Sequence, residues 1–110
     1  DLIYQVVYNL VDNAIKFTNE AGKISFLLSQ NADSIMFTIT NTGRGIAESD
    51  LPYVFERFYK GDKARSNVKN STGLGLYIVK TIVNAHKGEI LVKSKENKFT
   101  TFKVIIPKEI

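Results

Sequence analysis

A chain of 110 residues with 15 Lys+Arg, 11 Asp+Glu and one His, net charge +4, has room for one modest domain and not for a two-domain enzyme. At 44% hydrophobic and 24% charged it is too apolar to be disordered throughout. Zero Cys excludes disulfides, thiol nucleophiles and thiolate metal sites, and one His excludes a multi-histidine metal site.

From Asp1 to about Thr18, the residues Ile3, Val6, Val7, Leu10, Val11, Ala14 and Phe17 recur at helical spacing and predict an amphipathic helix. At roughly 100° per residue, Gln5, Asn9, Asp12, Asn13 and Lys16 share an arc of about 100° on its other face. Glu20-Ala21-Gly22 closes the helix, and Lys23–Ser29 reads as a strand. Asn31-Ala32-Asp33 is a hairpin turn into a second strand, Ser34–Thr40, where Ile35, Phe37 and Ile39 alternate with Met36, Thr38 and Thr40. Asn41-Thr42-Gly43-Arg44-Gly45 breaks that alternation with glycines that allow a sharp turn.

A short helix is expected from about Ser49 to Phe58, with Pro52 in its first turn. Tyr59 to Thr72 has no apolar period and reads as a loop, long enough to be functional. Leu74–Ala85 is a further helix, ended near Lys87-Gly88, where Gly88 suits a left-handed C-cap. Strands follow at Glu89–Lys95 and Thr100–Ile106, joined by Lys95-Glu96-Asn97-Lys98. This order implies an α+β fold: a two-layer α/β sandwich whose mixed, mainly antiparallel sheet is covered on one face by about three helices. No window approaches about eighteen apolar residues, and no basic-then-apolar leader opens the chain. Because Asp1 opens it and Met36 is its only Met, an excised fragment is expected.

Three features carry chemistry. The stripe Asn9, Asn13 and Lys16 offers amide oxygens for a hard cation such as Mg²⁺ and an ammonium for a phosphate. The glycines of Asn41–Gly45 let a ligand approach the backbone. Ser71-Thr72-Gly73-Leu74-Gly75-Leu76 opens a helix, where successive amides and the helix dipole form a phosphate cradle. It lacks the Gly-Lys-Ser/Thr of a P-loop, and no strand leads into it as in a dinucleotide fold. Lys60, Lys63, Arg65 and Lys69 cluster in the loop, whereas Lys93, Lys95, Lys98, Lys103 and Lys108 are spread as on a solvated face.

Together these spacings resemble the ATP-binding domains of sensor histidine kinases, within the GHKL superfamily. Asn9–Phe17 resembles their N box, Asn41–Ile46 their G1 box, Phe55–Lys60 their F box and Thr72–Leu76 their G2 box, in family order over nearly the whole chain. The resemblance implies that Asn13 ligates Mg²⁺ on the ATP phosphates and that Asn9 and Lys16 lie along the phosphate chain. It implies that Phe17 packs on adenine, that Asn41, Gly43, Gly45 and Ile46 border the base, and that Tyr59, Lys60, Thr72, Gly73, Leu74, Gly75 and Leu76 frame the phosphates beneath a lid of about residues 60–72. Arg57 is a further candidate cation. ATPase relatives carry a general-base Glu at the position of Asn9. An amide cannot activate water, so ATP is kept for transfer, with Asn9, Lys16 and Lys60 as the catalytic set.

Two positions depart from the family pattern. Asn41 stands where Asp is usual, giving a neutral acceptor to the adenine amine, and Ser71 stands where Gly opens the G2 box. His86 precedes a helix-ending turn, so it is read as structural rather than as the phosphoacceptor. The resemblance therefore implies a kinase that transfers the γ-phosphoryl group of Mg-ATP to a histidine on a separate dimerisation domain, with a response regulator downstream. It implies a cytoplasmic domain of a membrane-anchored bacterial sensor, with an N-terminal edge of the family domain missing, no nucleic-acid partner and no direct membrane contact. Competing readings are a nucleotide-binding regulatory module, a serine-directed kinase of the same superfamily and a basic nucleic-acid-binding domain.

Overall fold

The computed structural model describes residues 2–56 and 75–108. Their order is α1 (Leu2–Phe17), β1 (Ile24–Gln30), β2 (Ser34–Thr42), a 3₁₀ turn (Glu48–Tyr53), α2 (Gly75–Ala85), β3 (Glu89–Lys95) and β4 (Phe99–Pro107).

α1 forms where the apolar period places it. Val6, Leu10 and Ala14, four residues apart, project from one face and are buried, with Ile3, Val7 and Val11 partly buried beside them. The chain then turns through Ala21, at φ +60°. In the β1–β2 hairpin Asn31 Oδ1 accepts from the amides of Asp33 and Ser34, both at 2.8 Å, a side chain substituting for backbone in the turn.

β2 runs through Thr42, past the expected end at Thr40. Asn41 and Thr42 pair with Thr100 and Phe99 of β4, so Asn41 is a strand residue and not the first residue of a turn. The sheet order is β1-β2-β4-β3, and every neighbouring pair is antiparallel. No parallel pair occurs among the described residues, so the mixed component expected from sequence is not seen there. β2 and β3 both oppose β4 and hence point the same way. The link between them must cross the sheet, and it carries the 3₁₀ turn and α2.

The helix expected over Ser49–Phe58 is shorter and tighter, because Pro52 has no N–H to give a preceding carbonyl. Asp50 N donates to Ala47 O at 2.9 Å in the i→i−3 pattern instead. At the end of α2 the left-handed residue is Lys87, at φ +59°, rather than Gly88, and the Gly88 amide reaches back to Val83 O at 2.9 Å. His86 Nδ1 donates to Ile82 O at 2.9 Å, which gives that ring a helix-ending role.

One sheet face presents Phe37, Ile39, Ile90, Phe102, Val104 and Ile106, onto which α1 and α2 press Val6, Leu10, Ala14, Val79, Ile82 and Val83. On the opposite face the hydroxyls of Thr40 and Thr101 meet at 2.9 Å. The result is the two-layer α+β sandwich expected from the element order. β1 is different: it lies at the sheet edge, and all 7 of its residues are exposed. Among the described residues no helix is long and apolar enough to cross a membrane. Leu10 is fully buried where α1 meets the core, so Leu10→Ala is expected to lower unfolding free energy by about 2–5 kcal/mol in urea titration.

Candidate functional site

Beyond β2 the chain enters Gly43-Arg44-Gly45, where the backbone requires glycine. Gly43 sits at φ +155° and Gly45 at +72°. A Cβ on Gly43 would collide with the Phe17 carbonyl oxygen, and one on Gly45 with that of Lys95. The turn is therefore wedged between the end of α1 and the β3–β4 hairpin. On the hairpin side Gly43 N donates to Lys98 O at 3.2 Å, Asn97 N to Arg44 O, and Ile46 N to Ser94 Oγ at 2.8 Å. On the α1 side Asn19 N donates to Thr42 O at 3.3 Å, and the Thr42 hydroxyl to Asn19 Oδ1 at 2.8 Å.

This wedging frames a solvent-open pocket lined by Asn13, Phe17, Asn41, Gly45, Ile46 and Thr100. Asn13 and Phe17 come from successive turns of α1, on the same face. Asn41 and Thr100, 4% and 6% exposed, are opposite one another in the β2–β4 register. Asn41 Nδ2 donates to the Thr42 carbonyl at 3.1 Å, which leaves Oδ1 and the second N–H to offer a ligand. A ring, an aliphatic wall and a buried acceptor suit a planar heterocycle carrying an amino group.

One turn before Asn13, Asn9 Nδ2 is shielded from solvent and has no hydrogen-bond partner. A buried donor left unsatisfied costs about 1–3 kcal/mol, and such groups are rare enough to call for an explanation. A ligand oxygen at this position supplies one. The amide oxygens of Asn9 and Asn13 are hard neutral donors, which fit a hydrated divalent cation shared with phosphate oxygens. Among the described residues no group of three or more His, Cys, Asp or Glu could hold a metal, so the phosphates would have to bring the negative charge. Lys16 is not on the pocket wall. Its Nζ pairs with Asp12 Oδ2 at 3.0 Å, an i,i+4 contact on a partly exposed face.

Other expected site residues are placed less centrally. Tyr59, Lys60, Thr72, Gly73 and Leu74, with Arg57, Ser71 and the lid of about 60–72, lie outside the described residues. Gly75 is exposed at the start of α2, and Leu76 packs against the core. Phe55 packs edge-on against Phe102 at 6.0 Å with Lys80 Nζ over its ring, a structural position. Thr100 and Ser94 were not among the expected site residues. The available signal is hydroxyl residues at core-facing positions of strands otherwise filled by Ile90, Val92, Phe102 and Val104.

The sequence profile of the family described as histidine kinase-, DNA gyrase B- and HSP90-like ATPase matches residues 1–110. The chain belongs to this ATPase family. Within the family it resembles sensor histidine kinases: sensor protein SrrB of Staphylococcus aureus is 44% identical over 108 residues, 98% of this chain. The chain spans 18% of that protein's length. Of solved structures, the mycobacterial sensor histidine kinase MprB superposes with a TM-score of 0.81 at 30% identity, covering 94% of this chain and 70% of that one. The catalytic domain of histidine kinase ThkA gives 0.80 at 33%, covering 97% and 67%.

In this ATPase fold the two kinds of glycine should respond differently to substitution. Gly45→Ala is expected to lose at least about 1 kcal/mol of stability, because it adds left-handed strain to a collision with Lys95 O. Gly75→Ala, with no atom within 4 Å of its Cβ, should be neutral or stabilising in the same thermal melts.

Proposed function

We propose that this domain binds Mg-ATP and presents the γ-phosphoryl group to a histidine on a separate dimerisation domain, with a response regulator receiving it afterwards. The observation that carries the reading is the pocket itself. Asn41 and Thr100 form a buried polar floor with acceptor oxygens, Phe17 and Ile46 form apolar walls, and Asn9 and Asn13 stand together on α1. Adenine presents its amino group to the floor and its ring to the walls. The phosphates then run along α1, where the orphaned Asn9 donor meets a phosphate oxygen.

Asn9 and Asn13 would hold Mg²⁺, which neutralises phosphate charge when bound. Lys16, freed from Asp12 by a competing phosphate, adds a cation, and Lys60 is assigned to the same task. Because Asn9 is an amide, the site has no base there to activate water, which favours transfer to an external nucleophile over hydrolysis. We assign the domain to the cytoplasm, where ATP and a response regulator are found, as part of a membrane-anchored sensor. Residues 60–72 are assigned as the ATP lid.

Calorimetric titration with Mg-ATP tests this reading directly. Asn9→Ala removes an unpaired buried donor, so it should leave Tm unchanged or higher while weakening ATP by at least about tenfold. Unchanged affinity would take Asn9 out of the site. Asn13→Ala should abolish the Mg²⁺-dependent part of the affinity and leave the fold intact. Asn41→Asp should lower Tm, since it sets an oxygen against the Thr42 carbonyl, yet retain ATP binding through Oδ1. Phosphotransfer to an added histidine-bearing dimerisation domain separates a kinase from a module that only binds.

A further inference from the structure

Ser94 lies on β3 and is not among the pocket-lining residues, but its hydroxyl is bonded to two that are. Its Oγ accepts from the Ile46 amide at 2.8 Å, donates to the Phe99 carbonyl at 2.7 Å and lies 2.9 Å from Thr100 Oγ1. A serine hydroxyl has one proton, and the Phe99 carbonyl can only accept, so that proton is committed to Phe99. The contact with Thr100 then has one possible direction: Thr100 donates and Ser94 accepts. With its own proton spent, Thr100 keeps only lone pairs for anything in the pocket.

Asn41 keeps both polarities beside it: Nδ2 spends one N–H on the Thr42 carbonyl, and the second N–H and Oδ1 remain for a ligand. Asn41 and Thr100 are opposite each other in register, and both are more than nine-tenths buried. Thr100 is thus the floor group whose polarity is fixed. A purine with a 6-amino group supplies the donor that Thr100 lacks, whereas a 6-oxo purine sets its oxygen against the Thr100 oxygen and leaves that buried acceptor unpaired.

We propose that Ser94 is a positioning residue that sets base specificity: by holding the Thr100 proton it keeps Thr100 acceptor-only, and it ties Ile46 to the pocket wall through the same oxygen. This rests on the nucleotide reading above. It extends that reading to a side chain outside the pocket lining that selects 6-amino over 6-oxo purines. In Ser94→Ala the Thr100 hydroxyl is released and can rotate to donate, so a 6-oxo base becomes acceptable while the amino group loses a fixed acceptor.

The test is calorimetric titration of the chain with Mg-ATP and with Mg-ITP, which differ in the purine 6-position. The wild type should prefer ATP. Ser94→Ala should lower the ATP-over-ITP preference by about tenfold, the scale of one hydrogen bond, and Ser94→Thr, which restores a hydroxyl, should recover most of it. In a Thr100→Val background, Ser94→Ala should leave the preference unchanged, because the group through which Ser94 acts is gone. A merely structural Ser94 would weaken ATP and ITP equally and leave the ratio intact. That result in a folded Ser94→Ala protein overturns the proposal while nucleotide binding stands. If Ser94→Ala fails to fold, Thr100→Val alone decides: an unchanged ratio overturns the proposal. A wild type that binds neither nucleotide overturns the nucleotide reading itself.

Discussion

Because β2 and β4 are the two inner strands, each is hydrogen-bonded along both edges, and their mutual register determines what the rest of the molecule can bring together. The pairing Asn41↔Thr100 sits at one end of it, and Phe37↔Val104 and Ile35↔Ile106 sit towards the other. With a side-chain period of two, a slip of one residue would turn Asn41 and Thr100 to the outer face and bring Thr40 and Thr101 inward. The same slip would strip the core of Phe102 and Val104. Core and pocket floor are thus specified by one register, and the sequence cannot lose one without the other.

α1 serves core and site from adjacent arcs. Val6, Leu10 and Ala14 anchor it to the sheet and α2, and that burial holds Asn9 and Asn13 at a fixed height beside the pocket. The orphaned Asn9 amide is a stability cost of the kind a core would normally eliminate. That unpaired donor, next to the apolar arc, is the observation on which the proposed phosphate contact of Asn9 rests. The glycine turn works by the opposite logic. It contributes no apolar side chain, although Gly43 and Gly45 are buried, and its place is held by hydrogen bonds to the β3–β4 hairpin and to the segment after α1.

Sequence reading succeeded where periodicity was strong and local. The apolar spacing from Ile3 to Phe17 marked α1 within a residue at either end, and the strands of both hairpins fall within two residues of their expected bounds. It went astray where a non-local partner decided. Asn41 looked like turn because glycines follow it, yet pairing with Thr100 keeps it in β2. Lys87 rather than Gly88 adopted the left-handed cap, since helix ends are set by which carbonyl the next amide can reach. Thr100 and Ser94 were not singled out by the sequence pattern, because the bond between their hydroxyls joins two strands and exists only once the sheet is paired. Of the motif residues, Asn13, Phe17, Asn41, Gly45 and Ile46 converge on one pocket, although more than twenty residues separate the two groups in sequence.

The edge strand β1 has a consequence of a different kind. It reads Ile-Ser-Phe-Leu-Leu-Ser-Gln, with neither a charge nor a proline to discourage pairing, and among the described residues one row of its backbone groups faces no strand. Leu27, 67% exposed, adds apolar area on the outer face. An uncharged edge of this kind is a template for pairing with another chain, so a dilution series is the control that separates a property of one molecule from a property of the solution.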